Sequence, residues 1–165
     1  MCYQLRSMTS LYIMHGSQIL LLYREGSRVA NHLWIGSSGG HMEESEINHP
    51  KMTVLRELKE EIGLDEDQLT NLHMRYITME NIKGEIYQNY YFFAQINEMN
   101  QELLSTEGKL QWFDQSDVFD LDMPRGSRYV LEHYLNHQDN KDLYVCGLSK
   151  DSAIFTKLEQ REDGI

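Results

Sequence analysis

The stretch Arg56-Glu57-Leu58-Lys59-Glu60-Glu61-Ile62-Gly63-Leu64 (RELKEEIGL) packs three glutamates into five positions and then stops at a glycine. Upstream, Pro50 suits a first helical turn, where a missing N–H costs little. Gly63 suits the position just past a helix end, where a left-handed backbone is needed. The spacing therefore predicts a helix over 50–63. At about 100° per residue, Met52, Leu55, Leu58 and Ile62 share one face, and Glu57, Glu60 and Glu61 fall within roughly 100° of one another on the other side. A solvated outer face explains such a pattern on most surface helices. Two costs count against it here. Glu57 repels Glu60 and Glu61 at helical spacings of three and four, and acidic groups near a helix C-terminus oppose the macrodipole. A cation offsets both, and clustered hard oxygens suit Mg²⁺ or Mn²⁺.

Around this helix the chain reads as strands. Residues 9–15 and 18–24 are rich in aliphatic and aromatic side chains and flank Gly16-Ser17, a two-residue hairpin signal. LWIG (33–36) leads to the glycine pair Gly39-Gly40. Residues 69–79 and 85–96 pair around IKGE, and EIYQNYYFFAQI is the most strand-like segment of all. KLQWFD (109–114) is a short strand. Val130, Leu131, Tyr134 and Leu135 recur at helical spacing within 125–137. LYVCGLS and SAIFTKLE form a closing hairpin. A β-rich order with two separated helices fits an α+β sandwich with a mixed sheet better than a doubly wound one.

The 165 residues carry 41 % hydrophobic and 25 % charged side chains, as expected of one globular domain spanning 1–165. No composition shift marks a linker, and no repeat at solenoid periods is present. No apolar run approaches the roughly 18 residues of a membrane span, and the N-terminus lacks the apolar core of a secretory signal. Cys2 and Cys146 match no metal-site spacing and read as free thiols of a cytoplasmic protein. A formal net charge of −11 argues against a partner that is a nucleic-acid polymer. It leaves room for a nucleotide, whose phosphates would need divalent cations between them and an acidic pocket. By itself the charge also serves solubility.

These residues resemble the box of the Nudix hydrolases, G-x5-E-x7-R-E-U-x-E-E-x-G-U with U a bulky aliphatic residue. Gly40, five residues and Glu46 match its first half. Arg56 to Leu64 match its second half at every fixed position. The departure is the spacing: nine residues, INHPKMTVL, separate Glu46 from Arg56 instead of seven. The resemblance covers nearly the whole chain, since LLLYREGSRVANHLWIGSSGGHME, TEGKLQWF and the closing hairpin look like the matching parts of MutT-type members.

The resemblance implies a Nudix-type α/β/α sandwich with a mixed β-sheet and a catalytic helix. It also implies a Mg²⁺- or Mn²⁺-dependent attack of water on a nucleoside polyphosphate, the products of a triphosphate (8-oxo-dGTP among the candidates) being monophosphate and pyrophosphate. Glu60 and Glu61 would hold the cations, and Glu57 would ligate or act as base. Arg56 would hold a box glutamate in place. Gly40, or Gly39, would lend a carbonyl to a metal. Glu107, in a loop before Gly108, would bind another cation or deprotonate the water, its alternative being an exposed loop acid. ADP-ribose or dinucleoside polyphosphates are the other substrates implied, and a nucleotide-binding module without catalysis is the other class. A homodimer is compatible with all of these. WIGSSGG has one residue more than the W-x-G-x-G-G of similar members, and Ile35 stands where some of them carry a base-reading asparagine. Trp34 and Trp112 are expected in the core, His32 and His41 near phosphate or incidental, and Asp120 and Asp122 near the base.

Overall fold

The computed structural model describes residues 4–26 and 30–160. Cys2 lies outside them, and Cys146 is buried with a free thiol. The strands are β1 (Gln4–His15), β2 (Gln18–Arg24), β3 (Leu33–Gly36), β4 (Leu69–Ile82), β5 (Glu85–Ile96), β6 (Gly108–Asp114), β7 (Tyr144–Leu148) and β8 (Ala153–Lys157). The helices are α1 (Pro50–Ile62) and α2 (Arg125–Leu135). The sheet order is β3-β2-β1-β5-β4-β7-β8, with β6 on β2. The β1–β5 and β4–β7 pairs are parallel and the others antiparallel, so the sheet is mixed.

Alternation along the central strands decides where the helices go, because successive side chains point to opposite faces. Leu11 and Ile13 of β1, with Phe92, Ala94 and Ile96 of β5, pack against Val54 and Leu58 of α1. Tyr12, Met14, Tyr91 and Phe93 pack from the other face against Val130, Leu131 and Tyr134 of α2. The sheet is buried between two helices, the α/β/α sandwich expected. An unbroken apolar run such as LYIM in β1 is the sign of a strand covered on both faces.

The helix signals hold. Pro50 opens α1, and Gly63 closes it at φ 79°, its N–H donating to the carbonyls of Leu58 and Lys59. The buried face of α1 is rotated from the one expected. Thr53, Val54, Leu58 and Glu61 are buried, whereas Met52 is 54 % exposed. The sheet lies under Val54 and Leu58, and Glu61 follows them inward as the next turn of the same stripe. β1 starts five residues earlier than its apolar stretch. Its polar front half is held by β5, through Arg6–Glu85, Ser7–Gln88 and Ser10–Asn89 side-chain bonds. Among the described residues no helix is long and apolar enough to cross a membrane.

Candidate active site

Arg56 is the hub of the acidic surface. Its Nε and Nη2 donate to Glu46 at 2.8 and 3.0 Å, and its Nη1 donates to Glu57 at 2.8 Å and Glu60 at 3.2 Å. Nη2 also reaches the carbonyl of His41. A planar guanidinium with five donors suits such a fork, which a lysine ammonium could not reproduce. Of the three neighbouring acids Glu43, Glu44 and Glu46, it is Glu46 that is buried. Thr53 Oγ1 and the Glu43 amide complete its partners. A short 3-10 turn over Glu44–Glu46 and the His49 N–H donating to the Glu46 carbonyl lead the chain to Pro50, with Glu46 held beside Arg56.

The Arg56 hydrogen bonds hold the Glu46 carboxyl down to about 2, against the cost of its burial. Because the folded pKa lies below the unfolded one, Glu46 contributes stability above its ordinary range near 4.5. That contribution is lost as the pH falls toward 2. Thermal melts between about pH 5 and 2.5 are expected to show this acid limb. In Glu46→Gln it flattens.

The glutamates take three different settings. Glu60 is the most open, with 59 % of its side chain exposed. Glu57 is 14 % exposed and lies against Gly40. A Cβ built on Gly40 would stand 2.5 Å from Glu57 Oε1, so any larger residue there would displace the carboxylate from its present place. Gly40→Ala is expected to keep its fold while kcat falls about a hundredfold, the size of loss that a displacement of about 1 Å causes. Melting curves and steady-state rates on one preparation check this.

Glu61 is the most enclosed. Its Oε2 accepts from Ser38 Oγ at 2.7 Å and from the Gly39 amide at 3.1 Å. Burial pushes its carboxyl above the ordinary range, those two donors pull it back, and the negative charges of Glu57 and Glu107 raise it again. Gly39 has φ 150°, and a Cβ there would fall onto the Thr9 carbonyl, which is why the loop passes so close to β1.

Glu107 joins the cluster through the fold. The Thr106 amide donates to the Glu61 carbonyl, and Arg24 Nη2 holds the Glu107 carboxylate at 3.1 Å. Arg24 is a residue that sequence reasoning missed. The register pairing Arg24 of β2 with Gly108 of β6 brings it there, and no local pattern announces that pairing. Ser38 and Thr53 were missed for the same reason.

The remaining expectations divide. Trp34 packs edge-on against Phe113 at 4.7 Å and beside Tyr23 at 5.0 Å. Trp112 packs on the α1 side of the sheet, its Nε1 donating to Asn100. His41 offers its backbone carbonyl to Arg56 while its side chain is exposed. His32 is exposed beside Tyr23. Asp120 and Asp122 are exposed, and the carbonyl of Asp122 accepts from the Trp34 amide.

Among the described residues no three His, Cys, Asp or Glu side chains stand gathered around one point as a ligand set. The donor chemistry nevertheless fits a hard divalent cation. Three carboxylates on one helix and a fourth beside them are all oxygen ligands, and the Gly40 cradle keeps one of them where a side chain would displace it.

An α/β/α sandwich with a glutamate-bearing helix at one side of a mixed sheet defines a class, and the comparisons place the chain in it. The family model described as NUDIX domain matches residues 5–134. The chain belongs to the Nudix family, whose hydrolases generally use divalent metal ions. No curated protein matches by sequence. Among solved structures, the chain is similar to a MutT protein from Bacillus halodurans at 28 % identity and TM-score 0.64, with 93 % of this chain and 95 % of that one covered. It shares the fold of an Ap4A hydrolase from C. elegans (21 % identity, TM-score 0.66, 81 % and 98 % covered). It also shares that of the NUDIX domain of Shewanella oneidensis NrtR solved with ADP ribose (17 % identity, TM-score 0.62, 84 % and 90 % covered).

Proposed function

We propose that the protein is a Mg²⁺- or Mn²⁺-dependent pyrophosphohydrolase acting on a nucleoside triphosphate, an oxidised purine triphosphate such as 8-oxo-dGTP among them. The observation that carries this reading is the set Glu57, Glu60 and Glu61 on α1, with Glu57 against Gly40, Glu61 held by Ser38 and the Gly39 amide, and the loop that bears Glu107 bonded to α1 through the Thr106 amide and the Glu61 carbonyl. The likeness to a MutT protein over most of both chains supports the MutT-type reading of the hydrolase.

A divalent cation held here would offset phosphate charge and acidify a bound water. The protein's own part is positional. Glu60 and Glu61 would hold the ion, and Glu57 and Glu107, whose charges both act on Glu61, would hold an ion or take the proton of the water. Arg56 fixes the direction of Glu57 and Glu60. Water adds to phosphorus, the bond to the bridging oxygen breaks, and pyrophosphate leaves with nucleoside monophosphate as the other product. Displacement at phosphorus asks for positioning and charge stabilisation more than for covalent chemistry.

A substrate panel with Mg²⁺ tests the proposal: 8-oxo-dGTP, dGTP, ADP-ribose and diadenosine polyphosphates, with products separated by chromatography. Monophosphate and pyrophosphate from a triphosphate are expected. Faster cleavage of ADP-ribose or of a dinucleoside polyphosphate would move the substrate class within the family. Tight nucleotide binding with no cleavage of any substrate would make the protein a binding module.

A further inference from the structure

The residue by which WIGSSGG exceeds the shorter glycine motif has a definite use. Successive side chains of an extended segment point in opposite directions, so two serines serve two sides of the chain. Ser37, fully buried, sits in the fork where β1 and β2 diverge. It accepts from the Ile13 amide at 2.9 Å and donates to the Leu20 carbonyl at 2.6 Å. Ile13 and Leu20 are the last directly paired residues of β1 and β2, so this hydroxyl completes backbone hydrogen bonding that the splitting strands leave open. Ser38, 3 % exposed, turns the other way to Glu61. Its backbone is pinned by a two-way bridge to Leu11, with N–H···O distances of 2.8 and 3.4 Å. The Ser38 hydroxyl therefore comes from a rigid mount.

We propose that Ser38 is a positioning residue for the metal-binding role of Glu61: its hydroxyl and the Gly39 amide together fasten Oε2, so that Oε1 is the oxygen presented to a divalent cation. This deepens the reading of the site as a metal-dependent hydrolase and rests on it. Both donors converge on Oε2, and among the described residues no hydrogen bond reaches Oε1. One donor alone would leave the carboxylate free to turn about its last bond. A second donor from a side chain whose backbone is itself anchored removes that freedom.

The test compares Ser38→Ala with the parent protein in three measurements. Mn²⁺ affinity is read from the free-ion electron paramagnetic resonance signal without substrate. Steady-state kcat and KM are measured at saturating Mg²⁺, and melting is followed calorimetrically. Loss of a hydrogen bond behind a metal ligand costs about tenfold or more in metal affinity or activity. Ser38→Ala is therefore expected to bind Mn²⁺ about tenfold more weakly and to lose a similar factor in kcat, with nucleotide KM within about twofold. A purely structural serine would lower the melting temperature and leave the Mn²⁺ affinity of the folded protein alone. Mn²⁺ affinity and kcat within twofold of an active parent overturn the Ser38 role and leave the hydrolase reading standing. A parent that neither binds Mn²⁺ nor cleaves any substrate of the panel overturns both.

Discussion

Glu61→Gln is expected to abolish hydrolysis while leaving the protein as stable as before. The substitution is nearly isosteric, and its carbonyl oxygen can still accept from Ser38 and Gly39, the two donors on Oε2 of the glutamate. Those donors then dictate the orientation of the amide. Its NH2 group is forced into the place of Oε1, where it offers no lone pair and turns positive hydrogens toward a cation. The loss is therefore larger than the removal of one charge. Several kcal/mol of transition-state stabilisation, on the order of a thousandfold in kcat, is the expected size. Stability goes the other way. Burial raises the Glu61 carboxyl and outweighs the Ser38 and Gly39 hydrogen bonds that lower it, with Glu57 and Glu107 adding to the rise, so the fold works against its charged form. A neutral amide removes that cost, and the melting temperature should stay level or rise. Rates at saturating Mg²⁺ and a calorimetric scan on the same sample decide it. A variant with parental kcat would show that Glu61 holds no metal in turnover.

Arg56→Ala should give the largest loss of stability. Arg56 satisfies Glu46, whose side chain is 6 % exposed, through two of its nitrogens. Truncation leaves that carboxylate buried with only Thr53 and the Glu43 amide as partners. Stranding one member of a buried ion pair costs about 3–5 kcal/mol. In a chain of this size each kcal/mol lowers the melting temperature by roughly 2–4 °C, so a fall of about 10 °C is expected. The same change frees Glu57 and Glu60 from Nη1, so kcat falls even below the melting point. Arg56→Lys keeps the charge but has one nitrogen in place of the fork, and should recover part of the stability and little of the rate. Adding Glu46→Gln to Arg56→Ala relieves the buried charge and should restore several degrees without restoring activity. If Arg56→Ala melts within about 2 °C of the parent, the buried pair does not have the energetic role assigned to it.

Much of the fold is legible in the sequence. The ends of α1 were announced by Pro50 and Gly63, because the two residues have backbone needs that depend on no neighbour. The hairpin turn at Gly16-Ser17 was legible for a similar local reason. The face of α1 was read less well. Met52 looked like core and is exposed, while Glu61 looked like surface and is buried. Apolarity gives the width of a stripe on a helix, but its centre is set by the strand beneath. Nor could the front half of β1 be seen, because its polar residues become strand only when β5 supplies partners.

By itself the sequence determined which helix bears the glutamates and where that helix begins and ends. Those properties are local, written in spacing and in residue types whose conformational preferences travel with them. Only the tertiary structure decided how the four carboxylates differ. Glu60 faces water, Glu57 fills the space that Gly40 leaves, Glu61 is fastened by Ser38, and Glu107 arrives from the loop before β6, 46 positions beyond Glu61, through the β2–β6 register. Burial and hydrogen-bond partners come from segments far apart in the chain, and they set the orientation of each group.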